Sequence, residues 1–462
     1  MHITTRLTLS AALLALAAAP ALAQPATRQA PPAAGTPKNF TLPAPARFTL
    51  PNGLPVTMVP FGQVPKVTIR LVVEAANVHE RADQVWLADL TGKMLQEGTT
   101  ALTADALARA FAGMGGELSV GVGPERATIG TEVLAERGAE AMALLASVAR
   151  GPRFPADALA RVKASMARDL AIQKSTPQSM AQEKFAALMY GDHPFGRLFP
   201  TEAMLGGYTL EQVQAFHRSR YGANRARLYV AGVFDKAAME AAVREAFGGW
   251  GKADAPPAPA PPAPRERSFA LIDRPDAPQS TIMIGQRVPD PSSAAWIPLE
   301  VTDSLLGGSF GSRITSNIRE QKGYTYSPYS TVSANVKTSS WVETADVTTA
   351  VTGAALQEIV NEITRLGKEA PPAAEVQGIQ RNLAGTFVVQ NASRGGVIGQ
   401  LAFVDRHGLG DDYLARYVER VNTVTPEQVR TTAADFLVPS TMTVVVVGDT
   451  KVVKDQLAPF QK

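Results

Sequence analysis

The feature that most constrains this chain is an internal repeat. Thr209-Leu210-Glu211-Gln212-Val213 returns as Thr425-Pro426-Glu427-Gln428-Val429, and Leu228-Tyr229-Val230-Ala231-Gly232 as Val444-Val445-Val446-Val447-Gly448, both at a spacing of 216 residues. Each copy predicts a helix that opens at a Thr N-cap, with a Glu two residues on favoured by the helix dipole, and then a strand ending at Gly. Two matches that share one spacing imply duplication of a whole domain. Within the first copy, residues 54–60 and 66–75 read as strands, and residues 118–122 with 126–133 as a hairpin around Gly123-Pro124. Apolar residues at three and four spacing predict helices over 102–113, 136–150, 156–174 and 178–190. The expected fold class is α+β: two duplicated domains, each a mainly antiparallel sheet with helices packed on one face, joined by a Pro-rich linker.

The ends of these domains follow from composition. Arg6, the apolar run 13–19 and the small-x-small triplet Ala21-Leu22-Ala23 form a cleavable secretory leader over residues 1–23. Its apolar run is too short to span a bilayer, so the expected product carries no membrane anchor. Residues 24–46 are rich in Pro and Ala without a hydrophobic period and read as a disordered lead-in. The run ADAPPAPAPPAP over residues 253–264 predicts an extended linker. It separates an N-terminal domain over 47–252 from a C-terminal domain over 265–462, and opening about it offers a way to gate a chamber.

The chain has no cysteine, which rules out a disulfide framework and leaves stability to ordinary cores. Loss of the leader removes one charge, Arg6, from a formal balance of +3, and no block of Lys and Arg is present to track phosphates, so nucleic acid is not an expected partner. An alanine-rich, cysteine-free secreted chain fits a bacterial periplasm.

The chemistry concentrates in residues 306–330, LGGSFGSRITSNIREQKGYTYSPYS. Gly307, Gly308 and Gly311 allow close backbone approach, Ser312 is placed to cap a helix running to about Arg319, and Gly323 is placed to end it. Residues 325–330 then enter a strand. This puts Arg319 near a helix end and Tyr326 at a strand start, facing a common space. By themselves, these residue types need do no more than pack.

This stretch is similar to the signature of the pitrilysin/insulinase family of zinc metallopeptidases, whose second domain reads G-G-x-x-x-S-R-L, then R-E, then G-L-x-Y. The resemblance implies that Arg319 and Tyr326 reach across a chamber toward a zinc site on another domain. There they would bind the scissile carbonyl oxygen and stabilise its charge in the tetrahedral intermediate, worth about 3 kcal/mol each in a water-poor site.

The family's other signature is H-x-x-E-H on a helix of the first domain, followed by G-T. Residues i and i+4 share a helix face, so two imidazoles can hold one zinc while the Glu acts as general base. Here Met94 and the Gly98-Thr99 pair fit the pattern, but the five positions read Asp89-Leu90-Thr91-Gly92-Lys93. Both histidines and the glutamate are missing: Asp89, Gly92 and Lys93 are the degenerate positions. The third ligand of the family aligns at Ala164, with Asp169 the only nearby acid. No metal or other cofactor is expected in this chain.

Three further segments need weighing. His79-Glu80-Arg81-Ala82-Asp83 is one residue from H-E-x-x-H and reads as a solvated loop. His193-Pro194 with Gly196 reads as a structural turn. Residues 115–120 resemble the family's edge strand, where a peptide adds as an extra strand through backbone hydrogen bonds. That makes Gly116, Leu118, Ser119 and Val120 candidate substrate-binding residues, although an ordinary hairpin accounts for them equally.

A lost metal site beside an intact Arg-Tyr segment suggests division of labour. Some members of the family resemble this arrangement, with two chains closing into a chamber, one supplying H-x-x-E-H and the other the Arg and Tyr. The expected function is the non-zinc subunit of a peptidase, inactive alone, whose partner is a homologous zinc-bearing chain and whose substrate is peptide. A pure peptide-binding or scaffold protein of the same fold is the alternative. A serine hydrolase is disfavoured, since Ser309 and Ser312 lie in no G-x-S-x-G elbow and have no histidine near them in sequence.

Overall fold

Eleven strands among the described residues build two sheets. The computed structural model describes residues 41–254, 258–262, 266–410 and 412–461. The expected leader, the lead-in up to residue 40 and linker positions 255–257 and 263–265 lie outside them. In the first half the strands are β1 (Ala46–Thr49), β2 (Pro55–Pro60), β3 (Lys66–Val73), β4 (Ser119–Val122), β5 (Ala127–Leu134) and β6 (Ala226–Gly232). In the second they are β7 (Ser268–Asp273), β8 (Gln279–Arg287), β9 (Tyr329–Val332), β10 (Ser340–Thr348) and β11 (Thr443–Gly448).

The sheet orders are β1-β2-β6-β3-β5-β4 and β7-β11-β8-β10-β9. Apart from the added β1, they are the same sheet. In each, one parallel pair (β2 with β6, β7 with β11) is followed by antiparallel neighbours out to a free edge strand, β4 or β9. The repeated sequence sits at equivalent places. The helices Leu210–Arg220 and Pro426–Phe436 both open with a capping box, Thr209 with Gln212 and Thr425 with Gln428. Both repeated strands end at a glycine that has no room for a side chain: a Cβ would lie 2.3 Å from the Lys66 carbonyl oxygen at Gly232, which has φ +140°, and 2.4 Å from Ser280 Oγ at Gly448.

One face of each sheet packs on helices of its own half, as alternation along the strands dictates. In β3, Val67, Ile69, Leu71 and Val73 join the first core, whereas Val72 faces the other way and joins the second. What alternation does not reveal is the cover on that other face. The helix Pro177–Tyr190 leaves its own half and lays Ala181, Phe185 and Met189 on Met283, Val445 and Val447 of the second sheet. Reciprocally, the helix Arg394–His407 brings Val397, Ile398 and Leu401 into one cluster with Val59, Tyr229 and Ala231 of the first sheet. Each fully buried large apolar side chain in this exchange contributes about 1.5–3 kcal/mol.

Polar contacts repeat the symmetry. Arg394 reaches Glu132 of β5 at 2.9 Å, and Thr68 of β3 donates to the same carboxylate at 2.9 Å. In the other half Gln178 reaches Asp346 of β10 at 2.8 Å, and Thr281 of β8 donates to it at 2.5 Å. Gln178 and Arg394 are themselves 216 residues apart. Separating the halves about the Pro-rich segment would strip a helix from each sheet. Ala253, at the start of that segment, is buried and exchanges two hydrogen bonds with Asn224.

Candidate functional site

The degenerate zinc positions lie on the helix Leu87–Met94, beside edge strand β4. The helix starts where Glu80 accepts hydrogen bonds from the backbone N–H groups of Trp86 (3.2 Å) and Ala88 (2.7 Å). Residues 79–83 were expected to be a solvated loop. Instead, His79 and Glu80 are 8% and 7% exposed, because Glu80 is the anchor of the next helix and His79 Nδ1 accepts from Ala76 N at 3.2 Å. Burial pushes the Glu80 carboxyl up to about 8 and, helped by Arg225 and Arg220, the His79 imidazole down to about 4. Arg81 and Asp83 do remain exposed, paired at 2.6 Å.

None of the degenerate positions keeps a histidine or a glutamate, and each is otherwise engaged. Asp89 accepts a 2.6 Å hydrogen bond from Asn77 Nδ2, and burial raises its pKa. Lys93 Nζ lies 3.8 Å from Asp169 Oδ2, so an ammonium already answers the nearby acid. At Gly92 there is no space for a catalytic glutamate: a Cβ would stand 2.6 Å from Cγ2 of Val122 and 3.7 Å from Cγ1 of Val120. Among the described residues there is no group of three His, Cys, Asp or Glu that could hold a metal ion. With no imidazole, an ammonium at Lys93 and no room for a glutamate at Gly92, the residues present at the motif do not fit zinc.

The candidate substrate strand is β4, which starts at Ser119, one residue after Leu118. Among the described residues it pairs only with β5, which leaves its outer edge without a strand partner there. Ser119 and Gly121 are exposed, while Val120 and Val122 are partly buried against the first core. Gly116 is required by packing, because a Cβ there would lie 2.1 Å from the Glu132 carbonyl oxygen.

The second site surrounds Arg319. Two stretches of π-helix, Ser304–Gly308 and Thr315–Gln321, flank the glycine-rich segment, and such turns recur at functional sites. Ser312 Oγ donates to Thr315 Oγ1 at 3.0 Å at the start of the second, and Gly323, with φ +64°, ends it by donating to the Arg319 carbonyl. Tyr326 is not at a strand start: after a lone bridge from Thr325 to Val347, β9 begins only at Tyr329. Chain between the bridge and β9 leaves Tyr326 on a loop, 77% exposed.

The structure does bring the two residues together. The Arg319 guanidinium carbon is 4.8 Å from the centre of the Tyr326 ring and 4.6 Å from that of Phe310. Nε of Arg319 also pairs with Glu320 at 2.9 Å. Phe310, 71% exposed, was not singled out by the sequence, although it lies inside the motif. Both contacts are within cation–π range of the guanidinium.

Beneath the glycines lies a feature that sequence reasoning missed. Asp303 Oδ1 accepts from Trp341 Nε1 at 2.8 Å and from Ser330 Oγ at 2.5 Å. Glu343 of β10 is 0% exposed, and neither of its carboxylate oxygens has a hydrogen-bond partner among the described residues. A Cβ on Gly307 would lie 2.4 Å from Glu343 Oε2, and one on Gly308 2.5 Å from Asp303 Oδ2. The Gly-Gly pair is thus needed to lay the backbone over buried carboxyls. Burial, then the neighbouring Asp303, pushes Glu343 well above the usual carboxylate range. The signal was legible in β10, where Trp341, Glu343, Ala345 and Val347 alternate inward.

Residues 62–199 match the family described as Insulinase (Peptidase family M16), and residues 207–383 that described as Peptidase M16 inactive domain. An uncharacterized zinc protease of Mycobacterium leprae is 30% identical over 288 residues, 62% of this chain and 65% of that relative; the chain thus spans just under two thirds of its length. Among solved structures, a peptidase M16 inactive domain from Pseudomonas fluorescens superposes with TM-score 0.82 at 25% identity, covering 88% of this chain and 98% of that one. A protease from Helicobacter pylori gives TM-score 0.82 at 18% identity over 88% of this chain and 100% of its own, a likeness of fold.

Proposed function

Because this chain belongs to the pitrilysin/insulinase (M16) family of peptidases and lacks its H-x-x-E-H motif, we propose that it is the non-zinc subunit of a periplasmic peptidase. The observation that carries this reading is the contrast between its two sites. The zinc positions are filled by a Lys93–Asp169 pair and by Val122 packed on Gly92, whereas Arg319 and Tyr326 are assembled side by side with Tyr326 open to solvent.

In this reading the partner is a homologous zinc-bearing chain, and its metal supplies the activated water and the Lewis acid. This chain's own residues bind and orient the peptide. The free edge of β4 offers backbone hydrogen bonds to an extended substrate. The Arg319 guanidinium and Tyr326 hydroxyl donate to the scissile carbonyl oxygen and hold the charge that grows on it. The cation–π contacts of the guanidinium with Phe310 and Tyr326 keep it beside the phenol with which it would act.

One observation favours a second reading. The ion pair of Arg319 with Glu320 is what a packing role would also produce, and a peptide-holding scaffold would need no more. Native mass spectrometry of the protein isolated from its source separates the two. A one-to-one complex with a different chain of similar mass, carrying one zinc, supports the shared site. A metal-free monomer or homodimer favours the scaffold.

A further inference from the structure

On the face of the first sheet that carries Thr68 and Glu132, two arginines stand without a counter-ion. Arg70 of β3 and Arg126, just before β5, are both partly buried, and among the described residues neither has an acid within ion-pair distance nor a hydrogen-bond acceptor. The acids nearby are engaged elsewhere. Glu132 serves Arg394, Lys66 and Thr68, and Glu125 pairs with Arg406 and accepts from Val336 N. Burial lowers the pKa of both Arg70 and Arg126, and no carboxylate offsets it.

Arg70 is also held against a positive helix end. A Cβ on Gly395 would lie 3.5 Å from Arg70 Nη2, which places the guanidinium at the first turn of the helix Arg394–His407. A cation there is unfavourable, because the unpaired N–H groups of that turn carry partial positive charge and favour anions. Two half-desolvated cations, one of them at a helix N-terminus, leave a site whose electrostatics are completed by an anion.

The location indicates which anion. Both arginines line one cleft with Gly121, Val122, Thr128 and Asn335, and the paired Glu125 and Arg406 line it as well, which leaves the cleft a net positive charge from Arg70 and Arg126. It continues through Arg70 and Thr128 into a larger cleft of about 720 Å³ that Gly116, Ser119 and Gly130 line. The clefts run across the sheet face from Ser119, Gly121 and Val122 of β4, over Thr128 and Gly130 of β5, to Arg70 on β3, so a peptide added at the outer edge of β4 meets the arginines only through a side chain or C-terminus laid inward over that face. We propose that Arg70 and Arg126 form a carboxylate-binding site that selects peptides carrying an acidic group, a side chain or a free C-terminus, alongside β4. Arg suits the task, since its planar fork meets a carboxylate with two parallel hydrogen bonds. The inference rests on the reading that peptides bind β4, and it gives that substrate a chemistry.

The test uses this chain alone, so its outcome is independent of any zinc partner. Fluorescence anisotropy is read with a labelled extended peptide in three forms: one Asp with an amidated C-terminus, the same peptide with Asn, and the Asn peptide with a free C-terminus. The expected result is about tenfold tighter binding of whichever carboxylate-bearing forms engage the site over the neutral form, the size of one charge-assisted contact. The two acidic forms tell side chain from terminus. In Arg70→Gln and Arg126→Gln the preference should collapse to within about twofold, whereas Arg416→Gln, at an exposed arginine that lines neither cleft, keeps it. Both Gln variants should also melt no lower than the wild type, because they remove an unpaired cation. Equal binding of all three peptides by the wild type, or an undiminished preference in both Gln variants, overturns the proposal. A clear loss of thermal stability in the Gln variants would instead assign the arginines to packing and overturn it as well.

Discussion

Val122 occupies the space into which a side chain on residue 92 would have to grow, with its Cγ2 2.6 Å from the position of a Cβ on Gly92. The helix and the edge strand have closed on each other where a glutamate would otherwise stand. A Gly92→Ala change must move β4, and overpacking of this kind costs about 1–3 kcal/mol. Denaturant titration should show that loss for Gly92→Ala. The double change with Val122→Ala should recover part of it, with a coupling of about 1 kcal/mol. Additive effects would mean that the strand already has slack.

The same closure predicts that the metal site cannot be rebuilt by its motif alone. Asp89→His, Gly92→Glu and Lys93→His together should give a less stable protein that retains well under one zinc per chain after dialysis, measured by plasma mass spectrometry. Lys93 and Asp169 are each about half exposed, 45% and 49%. Their pair is accordingly worth about 0–1 kcal/mol, and Asp169→Asn should barely shift the unfolding midpoint.

The exchange of helices ties the two sheets into one folding unit. Phe185 is 4% exposed and lies against the second sheet although it belongs to the first half. Phe185→Ala should cost about 3–5 kcal/mol. Both halves should unfold in a single calorimetric transition. A variant that melted in two steps would show that the halves are independent.

Buried carboxyls set the pH dependence. Burial raises Glu300 to about 8 and Asp303 to about 6, and Glu343 also sits well above its ordinary value. In the window above the ordinary value near 4.5, the folded state holds protons that the unfolded state has released, so these groups make stability fall as pH rises toward 8. Buried His79, His217 and His407, each lowered to about 4, act oppositely. Between about 4 and 6.5 the unfolded state binds the extra protons, so their share of stability grows with pH. Glu343→Gln isolates one carboxyl: it should match the wild type near pH 4.5 and become progressively more stable than it toward pH 8. A difference independent of pH would mean that Glu343 does not titrate in this window.

Much of the fold was legible because the sequence states it twice. A spacing of 216 residues fixed the matching capping boxes at Thr209 and Thr425 and the strand ends at Gly232 and Gly448, where local chemistry decides the outcome. The strand-helix alternation of the first half followed from side-chain period. Sequence period could not show that Phe185 and Leu401 cross to the opposite half, because an apolar stripe does not say which sheet it covers. Tyr326 was misplaced by three residues, since a lone bridge at Thr325 reads like the start of a strand. His79 and Glu80 were assigned to a solvated loop because they follow a strand and no long apolar-periodic helix surrounds them, whereas the backbone N–H groups of Trp86 and Ala88 supply the partners that allow Glu80 to be buried.

The account stands or falls on Arg319 and Tyr326. The direct test is peptide turnover by the complex reconstituted with its zinc-bearing partner, comparing the wild type with Arg319→Ala and Tyr326→Phe at matched assembly and zinc content. The account predicts a fall in kcat of about ten- to a thousandfold for each, with complex formation unchanged. Undiminished turnover in both variants would contradict a catalytic role for this chain.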